Sequence, residues 1–330
     1  MDKDEFSLIN SIFPKKYHQS SLIYGIGDDT AIIAENIEKE ELICVDTLVE
    51  GVHFLEETMT WKQVGYKSLA VNISDIAAMG GIPAYYLVSI AIPDHYQAKQ
   101  IQEIYRGMEQ VAKEYEMDLI GGDTVSTKGP FVITVTVIGY VEKGRHLLRK
   151  NAQSGDMVFV TNTIGNAACG LDLLLQYGKD YAYTEKEKEM IHFHQMPVPQ
   201  IKAGRILAQC PVRIALNDVS DGLASELHEL AEASDVTIIV DAECVPYHPY
   251  MSNVTLKQRE EWAFFGGEDF QLVGSVAQQD WDMLKTTFEQ ARIPVHIIGK
   301  VVEKQNNHVL VKRKTSIERL DKKGYNHFSK

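Results

Sequence analysis

Aspartates recur along the whole chain at the ends of apolar segments or against glycine. Asp28 and Asp29 follow Gly25-Ile26-Gly27, Asp46 follows Leu42-Ile43-Cys44-Val45, and Asp123 follows Leu119-Ile120-Gly121-Gly122. Asp218 and Asp221 bracket a strand-to-helix turn, whereas Asp75 lies inside the small apolar run at 70–79. Taken singly, most read as helix caps or turn residues. Asp75 is poorly placed for capping and costly to bury unpaired, so it requires solvent or a partner carrying positive charge. If these segments converge, two carboxylates about 4 Å apart repel by roughly 4 kcal/mol at an effective dielectric near 20. A cluster of five or six then needs cations, and hard oxygen ligands select Mg²⁺, Mn²⁺ or Ca²⁺ over zinc. The acids are too dispersed for an EF-hand loop. Dispersed Asp with glycine-rich turns suits Mg²⁺ held against a polyphosphate.

Other signatures are missing from the sequence. There is no GxxxxGK[ST] loop, and Gly25-Ile26-Gly27 lacks the third glycine of a dinucleotide fingerprint. Neither HRD nor DFG occurs, nor HExxH, nor a GxSxG elbow. His192-Phe193-His194 reads as surface residues in a polar region. Cys44, Cys169, Cys210 and Cys244 form no CxxC pair and read as reduced thiols of a cytoplasmic protein.

Apolar periodicity supplies the elements that position these acids. A helix is expected over 61–79, closed by Gly80-Gly81, and a longer amphipathic one over 94–116, with Ile101, Ile104, Met108 and Val111 at helical spacing. Residues 76–93 carry only Asp-free, Lys-free apolar and small side chains, but Gly80-Gly81 and Pro83 interrupt them, giving a helix end, a turn and a buried strand at 85–92 rather than a membrane span. Strands are expected at 41–45, 131–141, 157–161, 213–216, 236–240, 270–275 and 295–301; Leu223, Leu227 and Leu230 share one face of the helix after Gly222. Strands and helices mix throughout two blocks that meet near residue 142, which points to an α/β or α+β class. The 330 residues are 45% hydrophobic with a net charge of −13, enough for two cores and unfavourable for nucleic acid or an anionic membrane as partner.

Seven segments taken in order resemble one family: GIGDD at 25–29, DTLVEGVHF at 46–54, AVNISDIAAMG at 70–80, GGDT at 121–124, DVSDG at 218–222, GGED at 266–269 and KGYNHF at 323–328. Together the chain resembles the thiamine-monophosphate kinase family of the aminoimidazole-ribonucleotide-synthetase superfamily. The resemblance implies a two-domain fold: an N-terminal ATP- and Mg²⁺-binding domain at 1–142 that pairs with its copy in a homodimer, and a C-terminal α/β domain at 143–330 that completes the site. It implies ATP-dependent phosphorylation of thiamine monophosphate to thiamine diphosphate, the final step of that synthesis, by direct transfer with several Mg²⁺ ions. Asp29, Asp46, Asp75, Asp123, Asp218 and Asp221 would hold the ions, with Cys44, where Ser or Thr commonly stands, offering its backbone carbonyl. Tyr105, Gly122, Asp123, Arg149 and Ser220 would touch ATP, and His53, Glu268 and Tyr325 the substrate. The acceptor is a phosphate, largely dianionic at neutral pH, so neither a general base nor a covalent nucleophile is expected.

Two rivals stand beside this reading. Another ATP-using member of the superfamily, such as a selenophosphate synthetase, would want a reactive Cys near the N-terminus, and the first here is Cys44 inside an expected strand. A dimeric binding module without activity would not need the full set of acids.

Overall fold

The computed structural model describes residues 12, 14, 16–26 and 30–324. Asp29 and Tyr325, two of the expected contact residues, lie outside them.

The first block is built on a four-stranded sheet. Strands β3 (Lys39–Val49), β4 (Ile82–Pro93), β5 (Asp118–Thr127) and β6 (Val132–Glu142) lie in the order β3-β6-β4-β5. A short pair, β1 (Leu22–Tyr24) and β2 (Ile32–Ile33), precedes them. β6 is antiparallel to both neighbours, while β4 and β5 run parallel and so need a crossover, which helix α2 (Ala98–Glu114) provides. Helix α1 (Trp61–Ala78) packs with α2 on one face, where Leu69, Ile73, Ile104 and Met108 meet Val88, Val135 and Val137. The crossing is tight: a Cβ on Gly65 would collide with the Ile104 carbonyl, and one on Gly107 with the Lys62 carbonyl. The opposite sheet face carries exposed apolar residues, Ile43 at 67% and Val45 at 59%.

The second block holds a seven-stranded sheet in the order β13-β12-β9-β11-β7-β10-β8. Its strands are β7 (Asp156–Thr161), β8 (Ile214–Asp218), β9 (Thr237–Asp241), β10 (Leu272–Ala277), β11 (Val295–Val302), β12 (Val309–Lys312) and β13 (Ile317–Arg319). All pairings are antiparallel except β12 with β9. Helices α3 (Asn166–Tyr177) and α4 (Glu185–Gln195) form a separate layer with Met190 and Cys169 in its core. Helices α6 (Leu223–Ser234) and α7 (Leu256–Phe265) cover one sheet face, and α5 (Ile201–Gln209) and α8 (Trp281–Ala291) the other.

Helix α1 joins the two blocks. Its start belongs to the first core, while Ala77 and Ala78 pack with Leu147, Ala203 and Leu207 of the second. That explains why it reads as apolar on nearly every side: it is buried on nearly every side.

Three expectations shift. The helix placed at 94–116 starts only at Ala98, where Gln97 and Gln100 form a reciprocal cap. Asp46 is not at a strand end, because β3 continues to Val49. Gly121-Gly122-Asp123 is not a turn: β5 runs through it to Thr127, with Gly121 and Gly122 paired to Leu87 and Val88 after a register shift at Ile120.

Candidate active site

Four of the expected acids converge from three elements and a loop. Asp46 comes from the middle of β3, Asp75 from the last turns of α1, Asp218 from the end of β8, and Asp221 from the loop before α6. The Ser74 hydroxyl donates to Asp218 Oδ2 at 2.7 Å, tying α1 to β8. Burial, then the charges of Asp218 and Asp221, push Asp46 up to about 6. Burial, then Asp218 and Asp46, push Asp75 up to about 8, with Cys44 and Arg149 opposing. Asp218 is raised as well, by burial, against the pull of Ser74 and Arg149. Burial and the charge of Asp75 raise the Cys44 thiol, whose Sγ donates to the Asn72 carbonyl at 3.3 Å. Burial first, and neighbouring carboxylates second, make Asp46 and Asp75 resist carrying their charge.

The basic side of the site is held from β8 and α6. Arg149 Nε donates to Asn217 Oδ1 at 2.8 Å, and a terminal nitrogen reaches Glu229 at 3.0 Å. Asn217 in turn donates to Glu226 at 2.5 Å, and Glu226 also accepts from the Asp221 amide at 3.0 Å and the Ser220 hydroxyl at 3.4 Å. Burial, then Asp218, push Glu226 up to about 8. The sequence places Ser220 at the N-terminus of this helix, α6, and the structure does not. Gly222 occupies the cap position, and Ser220 sits in the loop ahead of it.

Not every expected residue joins this group. Asp46 lies in register with Val135, Val88 and Gly122, the helix-covered face of the sheet, where Val135 and Val88 are buried. Asp123 lies one residue on, in register with Ser89, Thr134 and Thr47, and so faces the opposite side. The Thr47 and Thr134 hydroxyls, 2.8 Å apart, mark that open face. Within one chain Asp123 therefore stands apart from Asp46, three strands and about 14 Å away at ordinary strand spacing. Tyr105, on α2, packs against the first core near Tyr86, and burial raises its phenol. His53 lies in the turn after β3. Its Nδ1 accepts from the Val49 amide at 2.9 Å, which leaves the proton of the neutral ring on Nε2.

Glu268 sits beside the Ser220 loop and is gripped by two buried groups. Lys67 Nζ lies 2.6 Å from Oε1 and His194 Nδ1 lies 2.9 Å from Oε2. Burial alone would push Glu268 up, but Lys67 and then His194 outweigh it and hold the carboxyl at about 2. Burial and Lys67 push His194 down. His194 is 2% exposed, which corrects its reading as a surface residue: α4 turns this side inward although its sequence is rich in Glu and Lys. The neighbouring Asp269 is structural, accepting from the Gly165 and Ala167 amides at the start of α3.

Ser74, Asn217, Glu226, Lys67 and His194 were not singled out from sequence. One signal was available: Lys67 and Ser74 stand seven residues apart in α1, and so lie on one face. Among the described residues, no three His, Cys, Asp or Glu side chains are arranged to grip one ion by themselves. The donor set still fits Mg²⁺, which keeps several waters and binds through one or two carboxylates plus substrate phosphates.

Known proteins share this architecture. The AIR synthase related protein N-terminal domain family matches residues 27–141, and the corresponding C-terminal domain family matches residues 153–312. The chain is 48% identical to thiamine-monophosphate kinase of Bacillus subtilis (strain 168) over 327 residues, covering 98% of this chain and 99% of the relative. A crystal structure of thiamine-monophosphate kinase from Stenotrophomonas maltophilia K279a superposes with a TM-score of 0.81 at 30% identity, covering 92% of this chain and 94% of that one. A structure described as AaThiL complexed with AMPPCP and TMP superposes with a TM-score of 0.76 at 31% identity, covering 98% and 97%. The two sheets, the junction helix and these matches agree that the chain belongs to the thiamine-monophosphate kinase family of AIR synthase related proteins.

Proposed function

We propose that the chain transfers the terminal phosphoryl group of ATP to the phosphate of thiamine monophosphate, giving thiamine diphosphate and ADP. The observation that carries this reading is the meeting of Asp46, Asp75, Asp218 and Asp221 at the seam between the two sheets. Burial, and then the charges of neighbouring carboxylates, raise the proton affinity of Asp46, Asp75 and Asp218, a cost that bound cations would offset. The family membership and the neighbour bound to AMPPCP and TMP support the substrate pair.

In this reading the acceptor phosphate is its own nucleophile, and the protein orients the two phosphates and screens their repulsion. Asp46, Asp75, Asp218 and Asp221, with Asp29 and the Cys44 carbonyl, are proposed to hold Mg²⁺, which when bound supplies the positive charge that buried carboxylates and phosphates lack. Arg149, braced by Asn217 and Glu229, presents a planar fork to phosphate oxygens, with Ser220 beside it. His53 offers Nε2–H to the substrate phosphate, Glu268 accepts from the substrate, and Tyr325 stacks on its cationic ring.

Asp123 requires a further arrangement, and we assign it to a second copy packed on the open sheet face, whereas Gly122 and Tyr105 lie on the helix-covered side. The open face of the first sheet carries Ile43 and Val45, exposed apolar residues of the kind an isologous interface covers. A homodimer with domains at 1–142 and 143–330 follows. The four cysteines are free thiols, as suits the cytoplasm, and no helix among the described residues is long and apolar enough to cross a membrane.

The test is a coupled assay of ADP release. Release is expected to need thiamine monophosphate, ATP and Mg²⁺ together. Equal release without thiamine monophosphate, or stimulation by aminoimidazole precursors instead, overturns the assignment.

A further inference from the structure

Resting on the reading of Glu268 as a substrate contact, we propose that Lys67 and His194 are positioning residues that fix the orientation of the Glu268 carboxylate toward thiamine monophosphate. Three observations meet here. The root of the side chain is immobilised: the Glu268 amide donates to the Ser220 carbonyl at 2.6 Å and the Phe270 amide to the Val219 carbonyl at 2.8 Å. Glu268 itself takes the left-handed φ of 72° that a side chain rarely adopts. A Cβ on Gly267 would collide with the Ser220 carbonyl, so the loop lies flush against the Asp218–Asp221 turn. The tip is then held from both blocks, by Lys67 of α1 on one oxygen and His194 of α4 on the other.

A lysine that is 1% exposed must be explained, because an ammonium group is almost never buried unpaired. Glu268 is its anionic partner, and no other acidic side chain within ion-pair reach of Lys67 exists among the described residues. The carboxylate side chain remains 28% exposed, so it keeps lone pairs for a ligand. Thiamine monophosphate offers a cationic thiazolium ring and an amino group on its pyrimidine, both suited to a fixed carboxylate. Lys67 and Ser74 share one stripe of α1, so the same helix that ties Asp218 in place also aims Glu268. The group that binds the substrate and the group that binds the ions are thereby set in register by one element.

Steady-state kinetics on the full-length enzyme test this with five variants: Glu268→Gln, Lys67→Met, Lys67→Arg, His194→Ala and His194→Asn. We expect Glu268→Gln, Lys67→Met and His194→Ala each to raise KM for thiamine monophosphate about 10-fold or more, with KM for ATP and kcat within about threefold, as removal of uniform binding does. Lys67→Arg and His194→Asn, which keep a donor, should recover most of the loss. If Glu268→Gln raises that KM while soluble Lys67→Met and His194→Ala leave it within twofold, the positioning role is wrong and the contact stands. If Glu268→Gln itself leaves it unchanged, the contact reading fails. Equal losses in kcat and in both KM values would mark a purely structural triad and overturn the proposal. Should Lys67→Met fail to fold, the two His194 variants decide alone.

Discussion

Asp218 receives the Ser74 hydroxyl at 2.7 Å and faces Asp46, Asp75, Asp221 and Glu226, with Arg149 as the nearby positive charge that favours its ionised form. Removing its charge while keeping its shape separates two effects. Asp218→Asn is expected to lower kcat by about 100-fold or more, the usual scale for losing one charge-stabilising group. The same variant should melt at higher temperature than the wild type in the absence of divalent ions, because a buried like charge has gone. Thermal melts with and without Mg²⁺ check this; a variant less stable in both would show that Asp218 is merely structural. Arg149→Lys should raise KM for ATP several-fold, because an ammonium cannot make the forked contact. An unchanged KM for ATP would place Arg149 outside the phosphate site. At this scale the sequence was most readable: Asp46, Asp75, Asp218 and Asp221 stand in segments that resemble the family's motifs, and the structure brings them towards one seam. Lys67 and His194 were hidden by their neighbours. One lies in a helix that reads as core, the other in a run of Glu and Lys whose buried side is a minority of its residues.

The junction helix α1 is the element on which the site depends. It reaches Asp218 through Ser74, Glu268 through Lys67, and the second core through Ala77 and Ala78. Its position is set by the close crossing with α2 at Gly65 and Gly107, where a side chain would meet backbone. Gly107→Ala is expected to destabilise by about 1–3 kcal/mol, since α1 or α2 must move to admit the methyl group. Urea unfolding measures this, and a loss below about 0.5 kcal/mol would show that the crossing can relax. Periodicity located α1 and most strands well, but it could not see β5. Glycine pairs ordinarily signal turns, and here the neighbouring strand β4 enforces an extended path through Gly121 and Gly122. That single misreading hid the face on which Asp123 lies, because one residue of register exchanges the two sides of a sheet.

At the scale of the whole molecule, the acidic seam is expected to make stability depend on pH and on divalent ions together. The ordinary Asp value is 3.8, and Asp75 is raised to about 8 in the fold. Between those values the folded state holds a proton that the unfolded chain has released, so stability falls as pH rises. Glu268 acts in the other direction, contributing stability that is lost only as pH falls from 4.5 towards about 2. The ion-free protein should therefore melt at lower temperature at pH 8 than at pH 6, and added Mg²⁺ should recover more of that loss at pH 8. A melting temperature that rises over the same interval would contradict the raised values. The second copy is tested at the open sheet face: Val45→Glu should yield monomers by sedimentation and lower turnover at least tenfold if Asp123 acts across the interface. Monomers with full turnover would remove Asp123 from the site.

The dependence of ADP release on Mg²⁺ concentration, at saturating ATP and thiamine monophosphate, compares wild type with Asp75→Asn most directly. The wild type should show no turnover without a divalent ion, and the variant should need at least tenfold more Mg²⁺ to reach half of its own maximum rate. Superimposable Mg²⁺ curves would mean that Asp75, and with it the convergence of carboxylates at the seam, holds no ion between the two phosphates.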